Sequence, residues 1–447
     1  MSTVDPEERY KQLHPGSYLT WQEASKYLPG GVSAYGQFRK PFPLYFKKAK
    51  GARLWDVDNR EYIDVHCGYG PILLGHGHPT IINAIEEAKE RGLQYGAPSD
   101  VMVEWAKLIL KHVPSIKKIR FVSTGSEAVT YAVRVCKGYT RRTKICKPEG
   151  SYHGTSDWSL ASTAEYGGPP EAPTPVPHSM GLDHAIDKFV IIPWNDPDNA
   201  VKIIKQNAKD LACVLMEPIS GTGLGFAEPT KEYLKALREV TAENDIPLIF
   251  DEVMVGFRWG NMSCAQGYLG VKPDLTILGK VIAGGAPVGA YGGREDIMEV
   301  VSPLHGKTPQ ERVYQSGTFC GNPFTASVGL AVLKYLDAHE NEVYSHVNSI
   351  AESIRNGVRD LVTDMKIQAQ VVGKFSNFEV HFTDKPYRNL REFLKVNKDK
   401  LRKVDIELIN RGIFKLPGHF AFTCLPHTQE DVAKILDAYQ AALKIVG

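Results

Sequence analysis

The sequence predicts an α/β protein: a mostly parallel sheet with helices on both faces, joined to a smaller α+β domain. Three observations predict it. Short apolar runs alternate with helical stretches between residues 119 and 292. Several of those runs are apolar at every position, as strands buried on both faces are. A chain of 447 residues is long for one core, so two domains are expected.

Composition narrows the function. Hydrophobic residues make up 43% and charged residues 23%, ordinary for a globular protein. A net charge of +2 gives no case for nucleic acid or an anionic membrane as partner. The first nine residues are polar and charged, without the apolar core of a signal peptide, and no apolar stretch is long enough for a membrane span. Seven scattered cysteines with no C-x-x-C pair suit a reducing cytoplasm.

In chain order, residues 1 to about 30 read as a polar arm and a short helix ending at Pro29-Gly30-Gly31. Leu44 to Asp58 alternates around turn residues as a small hairpin. In Leu74-Gly-His76-Gly-His78-Pro79 the two histidines invite a metal reading, but no third ligand follows at helical or hairpin spacing. Ile81 to Arg91 and Asp100 to His112 are amphipathic helices.

Seven strands are predicted next, beginning at Ile119, Lys144, Phe189, Ala212, Leu248, Leu275 and Val288, with helices at Glu127 to Arg141 and Lys231 to Glu243. Between them, Thr163 to His184 is rich in proline and glycine. It is either an active-site lid or a solvated loop. Gly221-Thr-Gly-Leu-Gly225 has the wrong spacing for a dinucleotide loop. A helix from Thr325 to Ala338 leads to a region of helices (Val343 to Leu361, Asn389 to Asn397, Glu430 to Lys444) and short strands at Asn377 and Ala421. Domain limits follow as 1–70 for the first part of the small domain, 71–322 for the large domain and 323–447 for the rest of the small one.

Three strand ends carry chemistry. Thr124-Gly125-Ser126-Glu127 has the form of a capping box, and its free amides at a helix start suit an anion. Pro247-Leu-Ile-Phe-Asp251-Glu252 ends a strand in carboxylates. Leu275-Thr-Ile-Leu-Gly-Lys280 ends one in an amine. Alone, the first would be an ordinary helix cap and Lys280 a surface lysine. Together, at the ends of strands in one open sheet, they suit a ligand with a phosphate, a basic ring nitrogen and an aldehyde, as in pyridoxal phosphate (PLP).

Asp251-Glu-Val-Met-Val-Gly-Phe-Arg258, followed by Leu278-Gly-Lys280, resembles the class III PLP-dependent aminotransferases of fold type I. The likeness is greatest to the branch holding glutamate-1-semialdehyde aminomutase and the β-amino acid and D-phenylglycine aminotransferases. It runs over nearly the whole chain. It implies a large domain with a seven-stranded, mostly parallel sheet and a discontinuous small domain. It implies a ping-pong Schiff-base mechanism in which Lys280 carries PLP and moves the proton, while Asp251 keeps the ring nitrogen protonated. Gly125 and Ser126 would hold the phosphate, with Thr318 reaching in from a second subunit of a homodimer with shared sites. Tyr152 and Val253 would flank the ring, and His153 and Glu217 would lie beside it.

The substrates implied are an amine donor and a carbonyl acceptor, and the donor may be a β-, D- or aromatic amine or amino acid. An aminomutase or a racemase on the same scaffold is the alternative; a non-catalytic PLP-binding or regulatory protein is a further one. Against the aminomutases, the family's N-S-P-V-R-A-F after P-G-G-V is absent after Pro29-Gly-Gly-Val32, and Gly68-Tyr69-Gly70-Pro71 replaces S-W-G-P. Pro417-Gly-His419-Phe420 stands where the family has E-A-G-F. Tyr69, Trp158 and His419 are therefore candidates for the substrate pocket. Ala34 stands at the β-amino-acid enzymes' arginine position, and Arg39 nearby is either a carboxylate grip or a solvated charge.

Overall fold

The computed structural model describes residues 5–182, 184–221 and 224–447. The chain forms two compact units: Thr80–Asn341 with Tyr387–Leu394, and Met1–Pro79 with Glu342–Pro386 and Lys395–Gly447.

The larger unit is built on a seven-stranded sheet. Its order is Lys118–Val122, Gly289–Gly293, Leu275–Gly279, Leu248–Asp251, Leu211–Met216, Lys144–Pro148, Phe189–Ile192. The four pairings from Leu275–Gly279 to Phe189–Ile192 are parallel. Gly289–Gly293 alone runs against both its neighbours. All seven expected strands are present, and the fold is the α/β type the sequence predicts. Leu211–Met216 is buried at every position, which explains its unbroken apolar run. Ile249 and Leu215 sit in a core completed by Val129, Val133 and Cys136 of helix Gly125–Thr140. Truncating either to alanine would cost about 2–5 kcal/mol.

The smaller unit has two sheets. Phe46–Lys50, Arg53–Asp56 and Glu61–Asp64 pair antiparallel, and Ile413–Phe414 joins them in parallel. Gln370–Val372, Asn377–His381 and Ala421–Phe422 form the second. Ile354, Val358, Phe378, Leu408 and Ile435 meet in its core.

Three stretches differ from the expected ones. Helix Pro323–Ala338 belongs to the larger unit, because it packs on helix Asp100–His112 and its Gly329 lies against the Trp105 ring. Residues 71–79, expected in the large domain, fall in the smaller unit, where Gly75 packs against Pro426. The segment expected as a helix over 389–397 is helical only over Leu390–Phe393, and it too belongs to the larger unit. Among the described residues no helix is long and apolar enough to cross a membrane.

Candidate active site

The first strand of the large sheet delivers an anion cradle. Thr124 caps helix Gly125–Thr140: its Oγ1 accepts from the Glu127 amide at 3.1 Å, and Glu127 Oε2 accepts from the amides of Thr124 at 3.1 Å and Ser123 at 2.7 Å. The Ala128 amide is taken by the Thr124 carbonyl. The Gly125 and Ser126 amides remain for an anion at the positive end of the helix. The cradle is tight: a Cβ on Gly289 of the neighbouring strand would lie 2.0 Å from the Thr124 carbonyl oxygen.

Asp251 closes strand Leu248–Asp251. Its Oδ1 accepts from the Val253 amide at 3.0 Å, and its Oδ2 lies 2.8 Å from His153 Nδ1. Burial holds the His153 ring below its usual pKa, although Asp251 opposes this. A neutral ring donating from Nδ1 to the carboxylate leaves Nε2 as an acceptor, and Nε2 is buried with no partner. Glu217 Oε2 accepts from the Tyr152 amide and Oε1 from the Gly221 amide, each at 3.0 Å.

Lys280 opens a 3-10 turn directly after strand Leu275–Gly279. Its φ is +49°, a strained value for a residue with a Cβ, of the kind that gathers at functional sites. Burial drives its amine below the ordinary lysine value, and the carboxylates of Asp251 and Glu217 pull the other way. A cavity of about 190 Å³ brings Lys280 together with Gly125, Ser126, Tyr152, His153, Glu217, Asp251 and Val253. Val129, Met254 and Val288, which the sequence did not single out, complete its apolar wall. One cavity thus holds an anion cradle, a buried carboxylate and an amine with lowered proton affinity. That donor set fits PLP at its phosphate, its ring nitrogen and its aldehyde.

The remaining candidates are not among the residues that line this cavity. Thr318 sits in an exposed turn, and its carbonyl accepts from Gln94. Trp158 packs under Lys137, whose Nζ is 3.2 Å from the ring centre. Arg39, Tyr69 and His419 belong to the smaller unit. The Tyr69 and His419 rings meet edge to face at 5.0 Å. The Arg39 guanidinium donates to the carbonyls of Pro417 at 2.8 Å and Phe38 at 2.7 Å. Arg39 and Tyr69 both line a second cavity, of about 340 Å³, within that unit.

The proline-rich segment after Thr163 is stitched down. Ser162 donates to the Val176 carbonyl at 2.7 Å and Thr174 to that of Gly167 at 2.9 Å. Arg391 binds the carbonyl of Gly168 and both oxygens of Glu149. Asp183 of this segment, and Thr222 and Gly223 of the glycine-rich stretch 221–225, lie outside the described residues. His76, weighed above as a metal ligand, bonds Asp64 at 2.8 Å.

The chain is similar to known proteins over nearly its whole length. The model of the family described as aminotransferase class-III matches residues 34–401. The glutamate-1-semialdehyde 2,1-aminomutase of Archaeoglobus fulgidus is 41% identical over 95% of this chain and 98% of its own. An omega-transaminase from Sphaerobacter thermophilus superposes with a TM-score of 0.90, at 32% identity, over 96% of this chain and 97% of that one. A β-phenylalanine aminotransferase from Variovorax paradoxus gives 0.88 and 29%, over 98% and 96%.

Proposed function

The chain belongs to the class-III aminotransferase family of PLP-dependent enzymes, and from that premise we propose that it is an aminotransferase carrying PLP on Lys280. The observation that carries the reading is the single cavity joining Lys280, Asp251 and the Gly125–Ser126 amides.

Bound PLP would supply an electron-withdrawing ring that stabilises negative charge on the amine-bearing carbon of the substrate. The chain does the rest. The Gly125 and Ser126 amides bind the phosphate. Asp251, oriented by His153 and the Val253 amide, keeps a proton on the ring nitrogen. Tyr152 and Val253 bound the ring faces. The Lys280 amine, its proton affinity lowered by burial, binds the cofactor. Once released by an incoming amine, it takes a proton from the substrate carbon and returns it. Thr318, exposed in its own chain, would complete the phosphate site of a second copy in a homodimer. Seven free thiols, six of them buried, support a cytoplasmic location.

Transfer between two substrates, from an amine or amino acid donor to a keto acid or aldehyde, is favoured by this chain's own departures from the aminomutases at Ser33-Ala34-Tyr35, Tyr69 and His419. The second reading is transfer within one molecule, as in glutamate-1-semialdehyde aminomutase. The curated relatives speak for it more strongly than for the first. The test is an absorbance titration of the PLP-loaded protein with single amines, no acceptor present. The panel spans L-, D- and β-amino acids, aryl amines and glutamate-1-semialdehyde. A donor that discharges the cofactor and releases a carbonyl product supports transamination. Turnover of glutamate-1-semialdehyde to an isomer, with no donor discharging the cofactor, overturns it for the aminomutase.

A further inference from the structure

Joined to the cavity through the peptide before Tyr152 is a charged group with no role in the chemistry above. Lys147, near the end of strand Lys144–Pro148, is wholly buried. Its Nζ donates to the carbonyls of Ser151 at 2.7 Å, Ser159 at 3.1 Å and Ala161 at 2.6 Å. Three acceptors require three N–H bonds, and only the ammonium form has three. A buried ammonium is costly unless a negative charge answers it.

The answering charge is Glu217, and the two share one peptide group. Lys147 holds the carbonyl of the Ser151–Tyr152 peptide, while Glu217 Oε2 holds its N–H at 3.0 Å. Both Glu217 oxygens accept from backbone amides, as an ionised carboxylate does. An ammonium and a carboxylate thus grip opposite ends of the peptide that carries Tyr152 into the cavity.

We propose that Lys147 is a positioning residue for the cofactor site. With Glu217 it clamps the Ser151–Tyr152 peptide, fixing Tyr152 against the cofactor ring and keeping Glu217 ionised beside Lys280. The inference rests on the reading of the Lys280 cavity as a PLP site. Burial is the main cause that takes the lysine down to about 7 and the glutamate up to about 8, and the charge of each opposes the other's shift. The other ionisable groups facing the pair are Glu165 near Lys147, His153 near Lys147, and Asp251 and Lys280 near Glu217. Removing Lys147 favours the protonated, neutral form of Glu217. The nitrogen of Lys280 then loses a nearby negative charge and holds its own proton less tightly.

The test compares the wild type with Lys147→Met, Glu217→Gln and the double variant. Two quantities are read: the PLP dissociation constant, from quenching of protein fluorescence, and the pH midpoint of the lysine-bound cofactor's absorbance. Lys147→Met should weaken PLP binding roughly tenfold and lower the midpoint by about one pH unit. Glu217→Gln should lower the midpoint similarly, and the double variant should go no further than the larger single effect. A lysine that only supports the fold would lower the melting temperature and leave the midpoint unmoved; that result overturns the proposal. If Lys147→Met does not fold, an unmoved midpoint in Glu217→Gln overturns it alone. A wild type that binds no PLP would instead overturn the reading of the site itself, and this inference with it.

Discussion

Gly289 sets the position of the turn proposed to cradle the phosphate, and Gly289→Ala tests that. Gly289 pairs with Val122 on one side and Gly279 on the other. An added Cβ would stand 2.0 Å from the Thr124 carbonyl oxygen, 2.5 Å from its carbon and 3.0 Å from the Gly125 nitrogen. Ordinary contact begins at 3.4 Å, so relief needs a shift of 3.4 − 2.0 = 1.4 Å. The obstructing atoms are backbone, held by the capping box and the strand ladder, and cannot rotate away. Overpacking of this kind costs about 1–3 kcal/mol, and the rigid surroundings favour the upper end. The displaced turn also misdirects the Gly125 and Ser126 amides proposed to bind the phosphate. Losing one hydrogen bond to a charged group, worth about 1.5–3 kcal/mol, would weaken PLP binding roughly 10- to 100-fold. Urea unfolding of the apoprotein reads the first effect, and fluorescence titration with PLP the second. Gly270→Ala is the control: its φ is +67° but its Cβ would meet nothing within 4 Å. It should cost about 1–2 kcal/mol in stability and leave PLP affinity intact. If Gly289→Ala binds PLP as the wild type does, the cradle is not where the geometry places it.

Three further outcomes are expected. Lys280→Ala should still bind PLP through the amides and Asp251, but lose the lysine-bound absorbance, release the cofactor on gel filtration, and lose turnover about 10²- to 10⁴-fold; cofactor retained through gel filtration contradicts this. Glu252 is buried under the amides of Ala265 and Gln266, and burial raises its carboxyl from 4.5 to about 7. A raised carboxyl stabilises the fold below about pH 4.5 and loses that contribution as pH rises to 7; 7 − 4.5 = 2.5, or ~3 kcal/mol. Glu252→Gln should therefore gain on the wild type between pH 5 and 7, and parallel denaturation curves across that range would refute the shift. Arg391→Ala leaves Glu149 buried without its cation, at a cost of about 3–5 kcal/mol. It should also speed proteolysis between residues 163 and 182, and unchanged cleavage would show the segment is held by other contacts.

What the sequence disclosed and what it hid follow from the range of the interactions. A strand buried on both faces announces itself in a few consecutive apolar residues, so the seven strands of the large sheet were legible. The capping box spans four residues, and Asp251 and Lys280 lie at strand ends, so the residues that meet in the Lys280 cavity were legible too. The smaller unit depends on partners far apart in the chain. Nothing near Arg391 shows that it answers Glu149, so a short helix assigned to the small domain belongs to the large one. Helix Lys398–Asn410 begins in a run of charges that hid the apolar face of Leu401, Val404 and Leu408. Arg39 reads as either a carboxylate grip or a solvated charge, yet its guanidinium is engaged by the Pro417 and Phe38 carbonyls. Lys147 is the sharpest case. In sequence it is one lysine among many, and only the folded chain shows three carbonyls converging on it and a carboxylate across one peptide. The chemistry that must be common to every PLP site rests on short motifs, whereas what tunes it rests on buried charges whose partners are set by the fold. Substitutions at such buried charges should therefore alter cofactor electronics in ways that motif comparison does not anticipate.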